Sequence, residues 1–217
     1  MSKTYADFLD NVMPDVPGCT KSMAENAVKN TIIHFCEKSL ILQRNHDPLT
    51  CIEGISEYDF EPPSGQLVIK IMKMWFKGSE LIALAPDDIG VAEIYNTAFS
   101  GANTSKSDPV YYLQKEERIV SVYPIPSTTV ASGFTIRVAY KPSRSATTVD
   151  DVLFEDYAEI IGYGAKYRLF LSPGKPYSSL DAATTHKGLY TEGLNVAIQR
   201  ASRGHVRSDL SVQLRSA

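Results

Sequence analysis

Hydrophobic positions recur with a helical period at both ends of the chain, and the middle lacks that period. Ser2 predicts the cap of a short helix that runs through Asn11. Ser22 and Glu25 have the spacing of a capping box, which predicts a second helix from there to about Leu42. Its apolar positions keep the helical spacing, at Met23, Ala27, Ile32, Phe35, Cys36 and Leu40.

The middle of the chain is rich in β-branched and aromatic residues between Gly and Pro, which indicates strands. The predicted strands are 49–53, 57–60, 66–76, 80–84, 111–114, 118–123 and 134–140. A straight strand over 66–76 would place Lys70 and Lys73 on opposite faces, so a bulge or an edge position is expected. Lys77-Gly78-Ser79 predicts a hairpin turn, and 87–96 predicts a short helix after Pro86. Polar loops are expected at 100–108 and 127–133.

Helical spacing returns after Asp150 and continues to about Leu171. A second helix is predicted from Ser179 to Arg203, and the intervening Ser-Pro-Gly-Lys-Pro segment predicts an antiparallel αα-hairpin. Four glycines lie inside these helices, where each costs up to about 1 kcal/mol relative to Ala. Either the helices approach each other closely at these glycines, or they bend or pack against a neighbouring subunit. The glycines are Gly162, Gly164, Gly188 and Gly193.

The segment 205–217 ends the chain without a turn back towards the body. Val206, Leu210, Val212 and Leu214 are spaced by two or four residues, so an extended chain would place them on one face. One interpretation is a frayed terminus. The other is a tail that becomes ordered when it adds to the surface of a partner.

These patterns together predict an α+β protein. Residues 1–43 and 150–204 are expected to form a helical domain, a bundle of the N-terminal helices and the C-terminal αα-hairpin. Residues 44–149 are expected to form an inserted antiparallel β-rich domain, and 205–217 an extended C-terminal tail.

Composition is that of a soluble globular protein, with 43% hydrophobic and 22% charged residues. The net charge is −3, unevenly distributed: residues 162–217 hold eight Lys/Arg and three Asp/Glu, so the remainder carries −8. This asymmetry indicates a solvated face, or two ends that meet different partners or each other in neighbouring copies. Cys19, Cys36 and Cys51 are expected to be reduced and partly buried. No signal sequence or membrane-spanning run is recognised, so the chain is expected to be soluble in the cytosol when made.

Motifs for enzymatic chemistry are not found: the sequence has no nucleotide-binding loop, zinc-protease helix, nucleophile elbow or EF-hand. His34, His46, His186 and His205 are scattered without ligand spacing, and His46-Asp47 is interpreted as a turn. Acidic pairs such as Asp87-Asp88 and Asp150-Asp151 are expected at loops or helix starts. We therefore expect no enzyme, metal or cofactor. No basic stripe interleaves with the 12 tyrosines, which disfavours specific nucleic-acid binding.

Three stretches of the chain carry a family resemblance. They are Val-Pro-Gly-Cys at 16–19 with the helix ending Phe-Cys-Glu-Lys-Ser at 35–39, Gly-Ile-Ser-Glu-Tyr-Asp-Phe at 54–60, and the last helices with Gly-Ala-Lys at 164–166, Leu-Ser-Pro-Gly-Lys-Pro-Tyr at 171–177 and Ala-Ser-Arg-Gly at 201–204. The chain resembles the head-to-tail connector (adaptor) proteins of tailed bacteriophages. The order of its elements is similar to that of the tail tubular protein A type. The resemblance covers nearly the whole chain except 85–141.

The resemblance implies a virion neck protein that forms a twelve-fold ring with copies of itself. It implies that the helical part and the C-terminal tail contact the portal protein, and that the β part faces tail or tail-nozzle proteins. DNA would pass through the lumen without being read, and no membrane is involved. The implied portal-binding residues are Arg203, Val206, Arg207, Leu210, Val212, Leu214 and Arg215. The alternatives are a tail-completion or neck stopper protein and, third, a nucleic-acid-binding protein.

Overall fold

The computed structural model describes residues 2–85, 106–114 and 116–203. Two compact units divide them: residues up to Ile41 together with those from Thr148 onward, and Leu42–Thr147. Each is described by itself below. The helix predicted at 87–96, the loop at 100–105 and the tail at 205–217 lie outside the described residues.

The first unit is mainly helical. Strand β1 (Ser2–Thr4) pairs antiparallel with β11 (Thr148–Asp150), and 3₁₀ helices follow at Tyr5–Asn11 and Met13–Asp15. The three long helices are listed next in chain order. They are α1 (Lys21–Ser39), α2 (Asp151–Phe170) and α3 (Leu180–Arg203). The mixture of helices and sheets confirms the α+β class, and the bounds of α2 and α3 lie within one residue of those predicted.

The predicted cap of the first helix is wrong. Ser2 is extended because it pairs with Asp150 in β1–β11. The 3₁₀ helix begins after Thr4, where the Asp7 carboxylate accepts hydrogen bonds from the Thr4 backbone N–H at 2.7 Å and from its hydroxyl at 3.0 Å. Satisfying the first donors of a helix in this way fixes where it starts.

The predicted capping box of α1 is also wrong. Thr20 has an extended backbone, and its hydroxyl accepts from the Met23 N–H at 3.4 Å, so the helix begins before Ser22. The helix ends at Ser39 and not near Leu42, because Leu40 adopts a left-handed φ of 53°.

Aromatic and aliphatic side chains from all three helices form the core of this unit. Phe8 meets Phe154 edge-on at 5.2 Å between ring centroids, and Phe35 meets Tyr157 at 5.2 Å. Fully buried side chains include Phe8, Ile32, Phe35, Leu153 and Ile161.

Two of the four helical glycines mark close contact between helices. A Cβ on Gly164 would lie 2.5 Å from Cγ2 of Thr31 and 2.7 Å from Cδ2 of Tyr190, and one on Gly193 would lie 2.7 Å from Cγ1 of Ile160. Gly162 adjoins Asn11, whereas a Cβ on Gly188 would meet nothing within 4 Å. Close approach therefore explains Gly164 and Gly193, and among the described residues Gly188 has no packing reason.

The second unit contains two sheets. The first has the order β2 (Gln43–Asn45), β10 (Val130–Pro142), β5 (Gln66–Phe76) and β6 (Ser79–Glu80), and β3 (Leu49–Cys51) also pairs with β10. The second has the order β4 (Glu57–Asp59), β9 (Ile119–Tyr123), β8 (Tyr111–Gln114) and β7 (Ile82–Ala83). We call them the five-stranded and the four-stranded sheet.

Most of these strand pairs are antiparallel, as predicted, but β7 pairs parallel with β8. The expectation of a purely antiparallel domain is wrong here. A connection of more than about a dozen residues joins these two strands, which is long enough for the crossover that parallel pairing requires.

β10 is longer than predicted. It begins at Val130, which pairs with Cys51, so the polar loop predicted for 127–133 is half strand. Gly133 permits this pairing because a Cβ there would lie 3.0 Å from the Cβ of Cys51.

The turn between β5 and β6 is confirmed: Lys77 and Gly78 have φ of 48° and 83°, as a two-residue I′ hairpin requires.

The irregularity predicted in β5 is confirmed as bulges, since its register against β10 shifts twice. Val68, Ile71 and Met74 pair at positions that face the core, although they are spaced three residues apart instead of two or four. Lys70 and Lys73 are therefore both exposed on the other face, and the opposite faces expected for a straight strand do not occur.

The two sheets pack face to face across one hydrophobic core. Tyr58 of the four-stranded sheet meets Phe134 of the five-stranded sheet at 5.0 Å between ring centroids. Val120 and Val122 from one sheet and Ile136 and Val138 from the other belong to the same buried cluster. The outer faces of the two sheets therefore point in opposite directions.

Candidate functional site: surfaces for assembly

The described histidines all have structural partners. His34 Nδ1 lies 2.8 Å from the Tyr190 hydroxyl, and His186 stacks on Phe170 with centroids 5.3 Å apart. The turn predicted at His46-Asp47 is instead an irregular segment between β2 and β3. The ring nitrogens of His46 bond there to the carbonyl oxygens of Asp47 and Glu61. Burial lowers the pKa of both His34 and His186.

The described cysteines and carboxylates likewise form no ligand set. Cys19, Cys36 and Cys51 are free and buried. Across the described parts of the chain, no group of three or more His, Cys, Asp or Glu side chains is placed to hold a metal ion. No helix there is long and apolar enough to cross a bilayer. The candidate functional features described below are exposed apolar and charged surfaces.

One surface lies along α2 and α3. Leu189, Gly193, Val196 and Arg200 are spaced by four, three and four residues, so they follow one side of α3. Gly193 adjoins Ile160 of α2, and Arg200 pairs with Asp156 of α2 at 3.2 Å. The contact further along α3, at Arg200, is made with a residue earlier in α2, Asp156, whereas Gly193 adjoins Ile160.

Exposed apolar side chains flank the line where α2 and α3 meet. Val196 is 59% exposed, and Leu189 and Val152 are also exposed. Val152 precedes Asp156 by one turn of α2 and therefore lies on the same side of that helix. We call Val152, Leu189 and Val196 the apolar strip. Gly188 borders it in sequence and has open space beside it.

A second apolar position lies where α2 ends and α3 begins. Leu180, the first residue of α3, is 73% exposed, and Leu171 just beyond α2 is 46% exposed. The local sequence does not distinguish these exposed leucines from the buried ones, because exposed and buried leucines both follow the hydrophobic period of the helices.

A buried lysine escaped the sequence analysis. Lys166 on α2 has a side chain only 9% exposed, and its Nζ lies 2.8 Å from a carboxylate oxygen of Asp15. Nζ also lies 5.0 Å from the centre of the Tyr163 ring. The one signal in the sequence is a lysine between Ala165 and Tyr167 in an apolar stretch of helix.

The charged patches of the second unit were also missed. Lys73 and Arg137 are directly opposite each other in the β5–β10 register, and Lys70 is opposite Ala139. At the other sheet, Asp59 of β4 and Ile119 of β9 line an open hollow with Glu116, Glu117 and Arg118, which lie between β8 and β9. The sequence could not reveal the first group because its common face depends on the bulges.

Of the residues predicted to bind the portal, Arg203 is described, and it is exposed as the last residue of α3. The others lie outside the described residues. They are Val206, Arg207, Leu210, Val212, Leu214 and Arg215.

Comparison with known proteins gives one positive finding. The family model described as SU10 adaptor protein matches residues 3–213, which includes both units and most of the predicted tail. A search of curated proteins gives no match.

Proposed function

Because the chain belongs to the SU10 adaptor protein family, whose members are structural adaptors of bacteriophages, we propose that it is one subunit of a ring that links the portal protein to the tail. The observation that carries this proposal is the match over 3–213, since it includes both units. The resemblance to phage adaptors stated from the sequence is confirmed at the level of the family. A structural adaptor role implies a virion component that is not an enzyme.

The ring proposal is supported by the apolar strip. A closed ring needs two different patches on each subunit, because each copy meets its neighbours head to tail. The strip offers one such patch with three exposed aliphatic side chains beside two well-packed helices. A twelve-fold ring is the stoichiometry that we propose.

The helical unit supplies the portal-facing part of the proposed ring. We propose that α1, α2 and α3 form a bundle in which α2 and α3 are an antiparallel hairpin, with a domain boundary near residues 43 and 150. The β-rich insertion then faces tail or tail-nozzle proteins. Genomic DNA passes through the lumen in passive contact.

The C-terminal tail is the proposed portal anchor. If it buries about 500 Å² of apolar area, the transfer free energy is about 12 kcal/mol at about 25 cal/mol/Å². Ordering about a dozen residues cancels most of that gain. One tail would therefore bind weakly, and twelve tails on one ring would hold together by avidity.

A tail-completion or neck stopper protein is the alternative. Both proteins would be virion components, but an adaptor touches the portal protein directly and a stopper touches only the adaptor. Cross-linking mass spectrometry on intact virions separates them. Cross-links from Lys187 or Lys175 to portal lysines support the adaptor, and cross-links to tail proteins alone contradict it.

A nucleic-acid-binding protein is the third possibility. Affinity for a DNA duplex that disappears between about 50 and 200 mM salt would indicate phosphate contacts alone, as expected for passive contact in a lumen. Affinity that depends on the DNA sequence and persists at the higher salt concentration would contradict the structural role.

A further inference from the structure

The β unit carries two surface patches of opposite charge. In the five-stranded sheet the pairs Val138–Ile71 and Tyr140–Val68 point into the core, so Arg137 and Lys73 lie on the other face. Lys70 lies on that face too, opposite the buried Ala139. We call Lys70, Lys73 and Arg137 the basic face. All three are exposed, and Lys73 forms an ion pair with Glu80 at 3.1 Å.

This face contains an unfavourable arrangement. Two like charges directly opposite each other across an antiparallel pair repel and weaken the sheet. Lys73 and Arg137 are such a pair, and the two bulges of β5 add Lys70 to the same side. The Lys73–Glu80 pair offsets part of this repulsion, and an anionic partner would offset more of it.

The complementary charge lies at one end of the four-stranded sheet, where residues 116–118 connect β8 to β9. Tyr58 points into the core, so its neighbour Asp59 points outward, opposite Ile119 in the β4–β9 register. Asp59 and Ile119 line an open hollow with Glu116, Glu117 and Arg118, which we call the acidic hollow. The Gln114 side chain fixes the adjoining turn, because its Nε2 donates to the Glu117 carbonyl at 3.2 Å and its Oε1 accepts from the Ile71 N–H at 2.8 Å.

We propose that the basic face of one copy docks into the acidic hollow of the next copy. The two surfaces are different patches of the same subunit, so the contact is head to tail and can propagate around a ring. This inference rests on the proposed ring and adds a contact in the β unit to it. A second copy is favoured over DNA because the chain itself supplies the carboxylates, and because three cations beside Glu80 are few for a duplex.

The test reverses the charge of each surface separately. The first variant is Lys70→Glu with Arg137→Glu, and the second is Glu116→Lys with Glu117→Lys. Each changes exposed side chains only, and circular dichroism with thermal unfolding checks that both variants fold. The control, Lys21→Glu with Lys175→Glu, reverses two exposed charges in the other unit.

Association is measured by sedimentation velocity at about 50 mM salt, and by native mass spectrometry with portal protein. We expect each variant alone to self-associate at least about tenfold more weakly than the wild type, and the control to be unaffected. An equimolar mixture of the two variants should associate again, with equal copies of each, because every contact then joins opposite charges.

Two results would overturn the inference. One is that the variants associate like the wild type alone, or that their mixture stays monomeric while both are folded. The other is that the first variant assembles normally but loses salt-sensitive binding to a short DNA duplex, which would assign the basic face to DNA. If the wild-type protein does not bind the portal protein, the proposed function is contradicted. The equimolar mixture of the two variants, measured without portal protein, would still test this contact.

Discussion

His34 on α1 and Tyr190 on α3 are joined by a hydrogen bond of 2.8 Å between Nδ1 and the hydroxyl. Burial, with Arg168 and Lys38 as further causes, lowers the pKa of His34, so the folded protein favours the neutral imidazole. Burial also raises the pKa of Tyr190, so its hydroxyl keeps its proton and the bond joins two neutral groups. This bond fixes α3 against α1 at the place where Gly164 lets Tyr190 approach α2.

Stability should therefore depend on pH through His34. Its pKa is lower in the folded state, so the unfolded chain binds the proton more readily, and stability falls as pH drops below about 6.5. Urea unfolding at pH 7 and pH 5 should show this loss, and His34→Gln should show a smaller one. An equal loss of stability in His34→Gln would assign the pH dependence to other groups, of which His186 is the first candidate because burial lowers its pKa too.

Tyr190→Phe removes the hydroxyl that bonds to His34, so it should lower the free energy of unfolding by about 1 kcal/mol at pH 7.

Gly164→Ala and Gly188→Ala form a matched pair. At Gly164 the added methyl group would overlap Thr31 and Tyr190, so we expect a loss of more than about 1 kcal/mol. At Gly188 the space is open, and the higher helix propensity of Ala should add up to about 1 kcal/mol. Thermal unfolding of the two variants measures both effects. Equal shifts in the same direction would contradict the packing described for α2 and α3.

Replacing Asp15 and replacing Lys166 should destabilise the protein by different amounts, although the two residues form one ion pair. Asp15→Asn leaves a nearly buried ammonium without its counter-charge, whereas Lys166→Met removes the charge and keeps an apolar chain of similar length. Since Asp15 is half exposed and solvent screens it, we expect a cost of about 1–2 kcal/mol for Asp15→Asn and less for Lys166→Met. Chemical denaturation compares them. A larger loss in Lys166→Met would mean that the ammonium is needed for more than this pair.

The apolar strip should matter for assembly and not for folding. Leu189→Lys with Val196→Lys places charges where the side chains are already exposed, so unfolding should change by less than about 0.5 kcal/mol. The same change should reduce the number of copies bound per portal, because a neighbour would have to bury two ammonium groups. Thr184→Lys with Thr191→Lys, on another side of α3, is the control. Normal assembly of the strip variant would remove this surface from the proposed ring.

Local signals in the sequence were sufficient for the two C-terminal helices. Asp150 caps α2 through the Val152 N–H, and the proline-rich turn after Leu171 ends it, so both boundaries depend on neighbouring residues. The start of α1 was ambiguous because Thr20 and Ser22 can both cap a helix. The extended backbone at Thr20 decides that Thr20, and not Ser22, caps α1.

Non-local contacts explain the remaining errors. β1 pairs with β11 from the other end of the chain, and no pattern within three residues predicts a partner so distant. The bulges of β5 were predicted in kind, but their positions depend on the register against β10. The basic face follows from that register and was therefore invisible in the sequence. The portal-binding role of 205–217 stays a prediction.

Native mass spectrometry of this protein with the portal protein of the same phage tests the central claim most directly. The full-length chain is compared with a version that ends at Gly204 and therefore lacks the tail. We predict that the full-length chain adds to the portal as one copy per portal subunit and that the truncated chain does not add. If neither version adds to the portal, the position proposed for this adaptor in the virion is contradicted.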